Sequence, residues 1–172
     1  SIFNILNMHF STAKFATDIF VASTPRSYIA NVDPAINSML QQFFGFKTPI
    51  RTIDCFDISH FQSSYLVGSC VRFTDGKPEK NCFRHFKIKT LIEQNDYAAL
   101  QEIIQRRYRD KTDLPDLIVI DGGKGQLNAA REVILRNGLE NQPIIGLAKR
   151  EEEIFLPDRE YSIKLDERSP VL

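Results

Sequence analysis

The pattern of hydrophobic and polar positions changes character at Pro49. Before it, residues 1–22 mix Phe, Ile and polar residues with no clean period, and Phe15, Ile19 and Phe20 fit a helical face or a strand equally well. Thr24-Pro25-Arg26-Ser27 reads as a break, and residues 28–32 as a short strand. Asp33 and Pro34 suit the N-cap and first position of a helix, with Ala35, Met39, Leu40 and Phe43 on one face and a stop at Gly45. Residues 1–48 are therefore read as a partly helical lead-in, and 49–172 as the main domain. There the apolar runs predict strands at 50–57, 64–73 and 81–88, the last two joined by a turn at Asp75-Gly76-Lys77-Pro78. Asn95-Asp96 caps a helix through Arg109, with Tyr97, Leu100, Ile103 and Ile104 facing inward. A strand at 117–121, a helix from 124 to 137 and a strand at 143–148 follow. Residues 150–168 read as a loop and a hairpin, 154–156 against 161–165.

The order βββαβαβ constrains topology. Three strands joined by short turns are antiparallel neighbours, and a strand that follows a helix arrives by crossover, parallel to the first. Placing the fourth strand beside the first gives an α/β fold with a mixed five-stranded sheet and flanking helices, the ribonuclease H-like arrangement. Asp57 and Asp121 then end adjacent parallel strands at one edge, where strands lie about 4.8 Å apart. Ligands of open α/β sheets gather at such carboxyl ends.

Composition alters this picture little. Hydrophobic content of 42% and charged content of 26% are ordinary for a globular domain. The 22 basic and 22 acidic residues balance, so the totals give no sign of a nucleic-acid partner, although a neutral total still accommodates a basic face. Cys55, Cys70 and Cys82 are odd in number, lack Cys-x-x-Cys spacing and fall in strand-like runs. They are expected to be buried free thiols of a cytoplasmic protein, with neither disulfide framework nor zinc site. No stretch is long and apolar enough for a membrane span, and no signal-peptide pattern opens the chain. Ser1 is read as a processing boundary.

Chemistry concentrates at the two strand ends. A carboxylate closing a buried strand is costly unless it is paired or holds a metal. Asp57 alone fits a strand end bonded to a backbone N–H just as well; Asp121 at the matching edge favours a shared divalent cation. Asp121 opens Asp-Gly-Gly-Lys-Gly-Gln, where the glycines permit close approach of an anion and a helix N-terminus attracts it. Lys124 suits a phosphate as a point charge, against a plain glycine-rich turn with a solvated lysine; the spacing is not that of a P-loop. Ser59 and His60 are candidate supports behind Asp57, although a His after a strand is more often a loop residue. Asp96 is explained by a helix N-cap, with a third carboxylate near the metal as the minority reading. Arg72, Lys77, Lys80, Arg84, Lys87 and Lys89 form either a solvated face or a track for a phosphate backbone. Arg106, Arg107, Arg109 and Lys111 suit a helix C-terminus.

Several ordered strings are more specific than any one of them. Cys55-Phe56-Asp57-Ile58-Ser59-His60, Asp96-Tyr97-Ala98-Ala99 and the run from Leu114 to Leu127 with Ile120-Asp121-Gly122-Gly123-Lys124-Gly125-Gln126 resemble the C-terminal endonuclease region of the UvrC family. Gly146-Leu147-Ala148-Lys149-Arg150 and Ile154-Phe155-Leu156-Pro157 fit the same pattern, and the similarity covers about 50–170. The resemblance implies a ribonuclease H-like nuclease of bacterial nucleotide excision repair that makes the 5′ incision beside a lesion in damaged DNA. It also implies Mg2+ or Mn2+ and UvrB as partner. Its two catalytic Asp residues map onto Asp57 and Asp121, with Lys124, Gln126, Lys149 and Arg84 as DNA contacts. The family's third catalytic residue is a His on a helix beyond the hairpin. None of the three histidines here matches it, so the domain is expected to stop short of that helix and to be weak or inactive alone. The alternatives are a non-catalytic DNA-binding or partner-docking module, or another ribonuclease H-like nuclease such as a resolvase or RNA nuclease.

Overall fold

Alternation of apolar and polar residues does not stop at Asp57. Ile58-Ser59-His60-Phe61 continue it, and the strand β1 runs over Thr52–Phe61. It pairs antiparallel along its whole length with β2, Tyr65–Thr74. The computed structural model describes residues 50–61, 65–74, 77–88, 95–148 and 153–164. The lead-in 1–48, the Asp75-Gly76 turn, Lys149 and the side chain of His60 lie outside the described residues.

Two short strands, β3 (Lys77–Pro78) and β4 (Arg84–Lys87), both pair with β2. A 3-10 turn at Lys80–Cys82 separates them. After α1 (Asp96–Arg107) comes β5 (Leu117–Asp121), parallel beside β1. After α2 (Lys124–Arg136) comes β6 (Ile144–Ala148), parallel beside β5. β7 (Glu153–Phe155) and β8 (Ile163–Lys164) then add antiparallel. The sheet order is β3-β2-β1-β5-β6-β7-β8, with β4 also on β2.

The ribonuclease H-like order of the five expected strands is as predicted, but among the described residues the sheet has eight strands rather than five. Two local events account for the difference. The expected strand 81–88 shortens to Arg84–Lys87, because residues 80–82 form a turn in which the Cys82 N–H bonds to the Glu79 carbonyl, and the extra strand β3 forms within the expected turn, next to the bond from the Glu79 N–H to the Arg72 carbonyl at 2.8 Å. Cys82 therefore sits in a turn, not a strand. The expected final hairpin forms and joins the sheet edge at β6 instead of standing apart.

Both helices lie on one face. Phe56, Ile118 and Ile120 from the sheet pack with Leu100, Ile103 and Leu127 from the helices. Asn95 caps α1 by accepting from the Ala98 N–H at 3.1 Å, so Asp96 is the first helical residue rather than the cap. Leu100, Ile103 and Ile104 are buried as the periodicity predicts, but Tyr97 is 49% exposed. Its turn of α1 stands beside the first turn of α2, with the Tyr97 hydroxyl against Gly125. α1 lies so close to β2 that a Cβ at Gly68 would meet Ile103 at 2.7 Å. Gly68→Ala is therefore expected to cost about 1–3 kcal/mol through overpacking, read as a fall in the thermal midpoint.

The amino end of the sheet is held by two polar devices. Asp116 accepts from the N–H groups of Arg51 and Thr52 at 2.8 and 2.9 Å, while the Thr52 hydroxyl accepts from the Asp116 N–H at 2.9 Å. This clamp sets the register that places Ile53 opposite Leu117. Beside it Asp54, fully buried, takes both nitrogens of a fork from Arg72, at 2.7 and 3.0 Å, and the Tyr108 hydroxyl at 2.7 Å. Arg72 also reaches Asp113, as does Arg107. Arg72 thus belongs to a buried ionic network and not to the basic face expected from its neighbours. Arg106 and Arg107 are likewise engaged, Arg106 with Glu102 and the Lys87 carbonyl. All three cysteines are free thiols. No helix among the described residues is long and apolar enough to cross a membrane.

Candidate active site

β1 and β5 run in parallel register from Ile53 opposite Leu117 to Phe56 opposite Ile120. Asp57 and Asp121 are the next residue on each strand. Here β5 ends, while β1 goes on paired only with β2. Asp57 is therefore not a strand terminus, as the sequence reading had it, but the point where two strands part. The pleat sends successive side chains to opposite faces. Phe56 and Ile120 go into the core beneath the helices, so Asp57 and Asp121 leave on the other face, together, at the carboxyl rim. Both are half-buried.

Ser59, two residues on and hence on the same face, donates from its hydroxyl to Asp57 Oδ2 at 2.9 Å. Ser69 stands opposite Asp57 on β2, half-buried. Nothing in the linear order singled out Ser69, because only the hairpin register brings it to this rim. His60 lies in β1 opposite Leu66.

Beyond Asp121 the backbone turns at once. Gly122 has φ +154°, and a Cβ there would meet Gln126 at 2.8 Å, so a side chain at this position is both strained and blocked. The Gly122 N–H bonds to the Leu147 carbonyl at 3.0 Å. The Gln126 amide oxygen accepts from the Gly123 N–H at 3.2 Å, closing the start of α2. Lys124 is exposed, and its Nζ reaches the Glu160 carbonyl of the β7–β8 loop at 3.3 Å. That loop is held to α2 a second time, where Arg131 forks onto Asp158 at 2.5 and 2.6 Å. Asp96 begins α1, whose first turn adjoins the first turn of α2 through Tyr97 and Gly125. Arg84 sits on β4 opposite Cys70, and donates to the carbonyls of Asn81 and Phe83 at 2.8 and 2.9 Å.

The rim thus gathers two carboxylates, a supporting hydroxyl, a lysine and a helix start within a few residues of the point where β1 and β5 part. Oxygen donors of this kind suit a hard divalent cation. Among the described residues, no set of three or more His, Cys, Asp or Glu side chains is grouped to hold a metal. The two Asp residues are the donors the rim provides.

A family model, the UvrC RNase H endonuclease domain, matches residues 41–172. UvrABC system protein C of Prosthecochloris aestuarii is 43% identical over 159 residues, covering 90% of this chain and 26% of that protein. UvrABC system protein C of Flavobacterium johnsoniae is 39% identical over 176 residues, covering 98% of this chain and 29% of that protein. The chain therefore spans little more than a quarter of the length of these relatives. Among solved structures, Ciona intestinalis Endonuclease V in complex with an inosine-containing DNA matches with a TM-score of 0.42 and 16% identity, over 70% of this chain and 62% of that one.

Proposed function

Because this chain belongs to the family of the UvrC RNase H endonuclease domain, we propose that it is the catalytic core of a divalent-metal-dependent DNA endonuclease of nucleotide excision repair, making the 5′ incision beside a lesion together with UvrB. The observation that carries the reading is the pairing of Asp57 and Asp121 at one rim, each one residue past the in-register contact of Phe56 with Ile120. Both carboxylates emerge on the same face, and neither is spent in the buried ionic network at the other end of the sheet.

These two carboxylates would hold Mg2+ or Mn2+. Such an ion, when bound, neutralises charge on the scissile phosphate and lowers the pKa of a bound water. The chain's own residues supply the positioning. Ser59 fixes the rotamer of Asp57 through its hydrogen bond. Lys124 and the N–H groups at the start of α2 attract the phosphate backbone. Gln126 orders that helix start by taking the Gly123 N–H.

The test is metal-dependent nicking of a lesion-bearing duplex with UvrB present. A single cut on the 5′ side, weak from this domain by itself, that needs Mg2+ or Mn2+ and stops on chelation is expected; a cut indifferent to chelator overturns the reading. Lys124→Ala is expected to weaken DNA binding and to reduce the slope of log affinity against log salt by about 1. Salt-titrated binding of both forms checks this, and an unchanged slope removes the lysine from the contact.

A further inference from the structure

Four large hydrophobic side chains stand exposed among the described residues: Tyr97, Leu114, Leu135 and Tyr161. Scattered singly, such residues need no explanation. The two aromatic ones, however, converge on the same short segment. Tyr97 projects from the first turn of α1 and lays its hydroxyl against Gly125, where even a Cβ would be met at 2.5 Å. Tyr161, 79% exposed, directly follows Glu160, whose carbonyl is taken by Lys124. Lys124 and Gly125 are neighbours in the first turn of α2, three and four residues past Asp121. The two tyrosines therefore flank, from α1 and from the β7–β8 loop, the turn proposed to meet the phosphate.

The segments that carry them are held in place. The β7–β8 loop is tied to α2 by the Arg131–Asp158 fork and by Lys124, with Asp158 in the left-handed region at φ 60°. Tyr97 is fixed by the helix that Asn95 caps. Aromatic rings presented in this way beside a cationic, phosphate-attracting turn are suited to stack on bases that have left the duplex stack. Regular B-form DNA offers no free base face at the edge of its backbone. The surrounding charge argues against a purely electrostatic grip: Asp96, Asp158 and Glu160 are exposed beside Lys124 and Arg159.

We propose that Tyr97 and Tyr161 are base-stacking contacts on either side of the scissile phosphate, so that the substrate this rim selects is DNA with unstacked bases rather than a regular duplex. The proposal rests on the nuclease reading and adds the substrate's local structure to it. Neither residue is catalytic; each positions the strand.

The experiment compares the full chain with Tyr97→Ala, Tyr97→Phe, Tyr161→Ala and Tyr161→Phe. Binding is measured on two DNAs of equal length and charge, a fully paired duplex and one with a central unpaired bubble carrying 2-aminopurine. The Ala forms are expected to lose about tenfold or more in affinity for the bubble, little for the duplex, and to lose the fluorescence change that stacking produces. The Phe forms are expected to keep both, since the ring is retained. Equal losses on the two DNAs, or no loss, overturn the proposal. If the unaltered chain binds neither DNA, the nuclease reading itself fails; if it binds and cuts while the Ala forms behave identically to it, only the stacking contact fails. Unchanged thermal midpoints verify that these exposed sites have not altered the fold.

Discussion

Asp57→Asn and Asp121→Asn are each expected to lower metal-dependent nicking by about a thousandfold or more while leaving the protein folded. An amide of the same shape preserves the strand end but removes the charge that would hold the cation. Transition-state charge stabilisation by a bound metal is worth several kcal/mol, and each ~1.4 kcal/mol is tenfold in rate. Folding should not suffer, because two carboxylates leaving adjacent strands on one face repel each other when no cation lies between them. The thermal midpoint of either variant without metal should match or exceed that of the parent. Only the parent should gain stability on adding Mg2+ or Mn2+, as a ligand that binds the folded state must confer. Variants that nick normally, or that keep the metal-induced rise, would falsify the assignment of this pair.

Asp54→Ala is expected to do the opposite: cost stability heavily and leave no folded protein in which to ask about activity at elevated temperature. Asp54 is fully buried and receives Arg72 through two nitrogens, Tyr108 through its hydroxyl, and Arg107 at 3.5 Å. Burial, followed by the charge of Asp54, holds the Tyr108 hydroxyl well above its ordinary range, so it stays a donor. Burial alone would depress Arg72, but its hydrogen bonds to Asp54 and Asp113 outweigh that and raise it, so it stays charged. Removing the carboxylate leaves that charge buried with only the half-exposed Asp113 for a partner. Breaking a buried pair in this way costs about 3–5 kcal/mol, or roughly 10 °C in midpoint for a chain of this size. A loss no greater than that of an exposed substitution would sink the network as a stabilising element.

Asp113 adds a pH signature to the same network. Its hydrogen bond from Arg72, aided by Arg107, lowers its pKa from the ordinary 3.8. A depressed carboxylate contributes stability that is present above its unfolded value and lost as pH falls through the folded one. Acid unfolding should therefore steepen below about pH 4, and Asp113→Asn should flatten that limb. Because the group is more than half exposed, the effect on stability at neutral pH should be small.

Asp54 and Asp57 illustrate what could be read from the chain and what could not. They lie three residues apart on one strand, so the pleat assigns them to opposite faces. The linear pattern alone would allow that inference, yet it does not say which face is covered by helices. The matching pair of strand-end carboxylates drew attention to Asp57, whereas Asp54 stood unremarked inside an apolar run. Only the packing of Arg72 and Tyr108 from distant positions explains why a carboxylate tolerates that burial.

The elements bounded by strong local signals were determined by the sequence itself. The strand β5, a four-residue apolar run closed by Asp121 and a Gly-Gly turn, falls at 117–121 as expected, and α2 starts at Lys124 as expected. Crossover logic then placed β5 beside β1, which is why Asp57 and Asp121 could be linked before any coordinates. Tertiary structure decided the rest. β1 continues past Asp57 because β2 is there to pair with it, and nothing local ends a strand whose partner persists. Tyr97 is half exposed although it shares the helical period of Leu100 and Ile104, because burial depends on what lies opposite, and its hydroxyl lies against Gly125 at the start of α2. The predicted third strand shortened to β4, a further short strand, β3, formed within the expected turn, and the last hairpin became part of the sheet, because edge pairing is settled by free backbone donors and acceptors on a neighbour and not by the side-chain pattern of the strand itself.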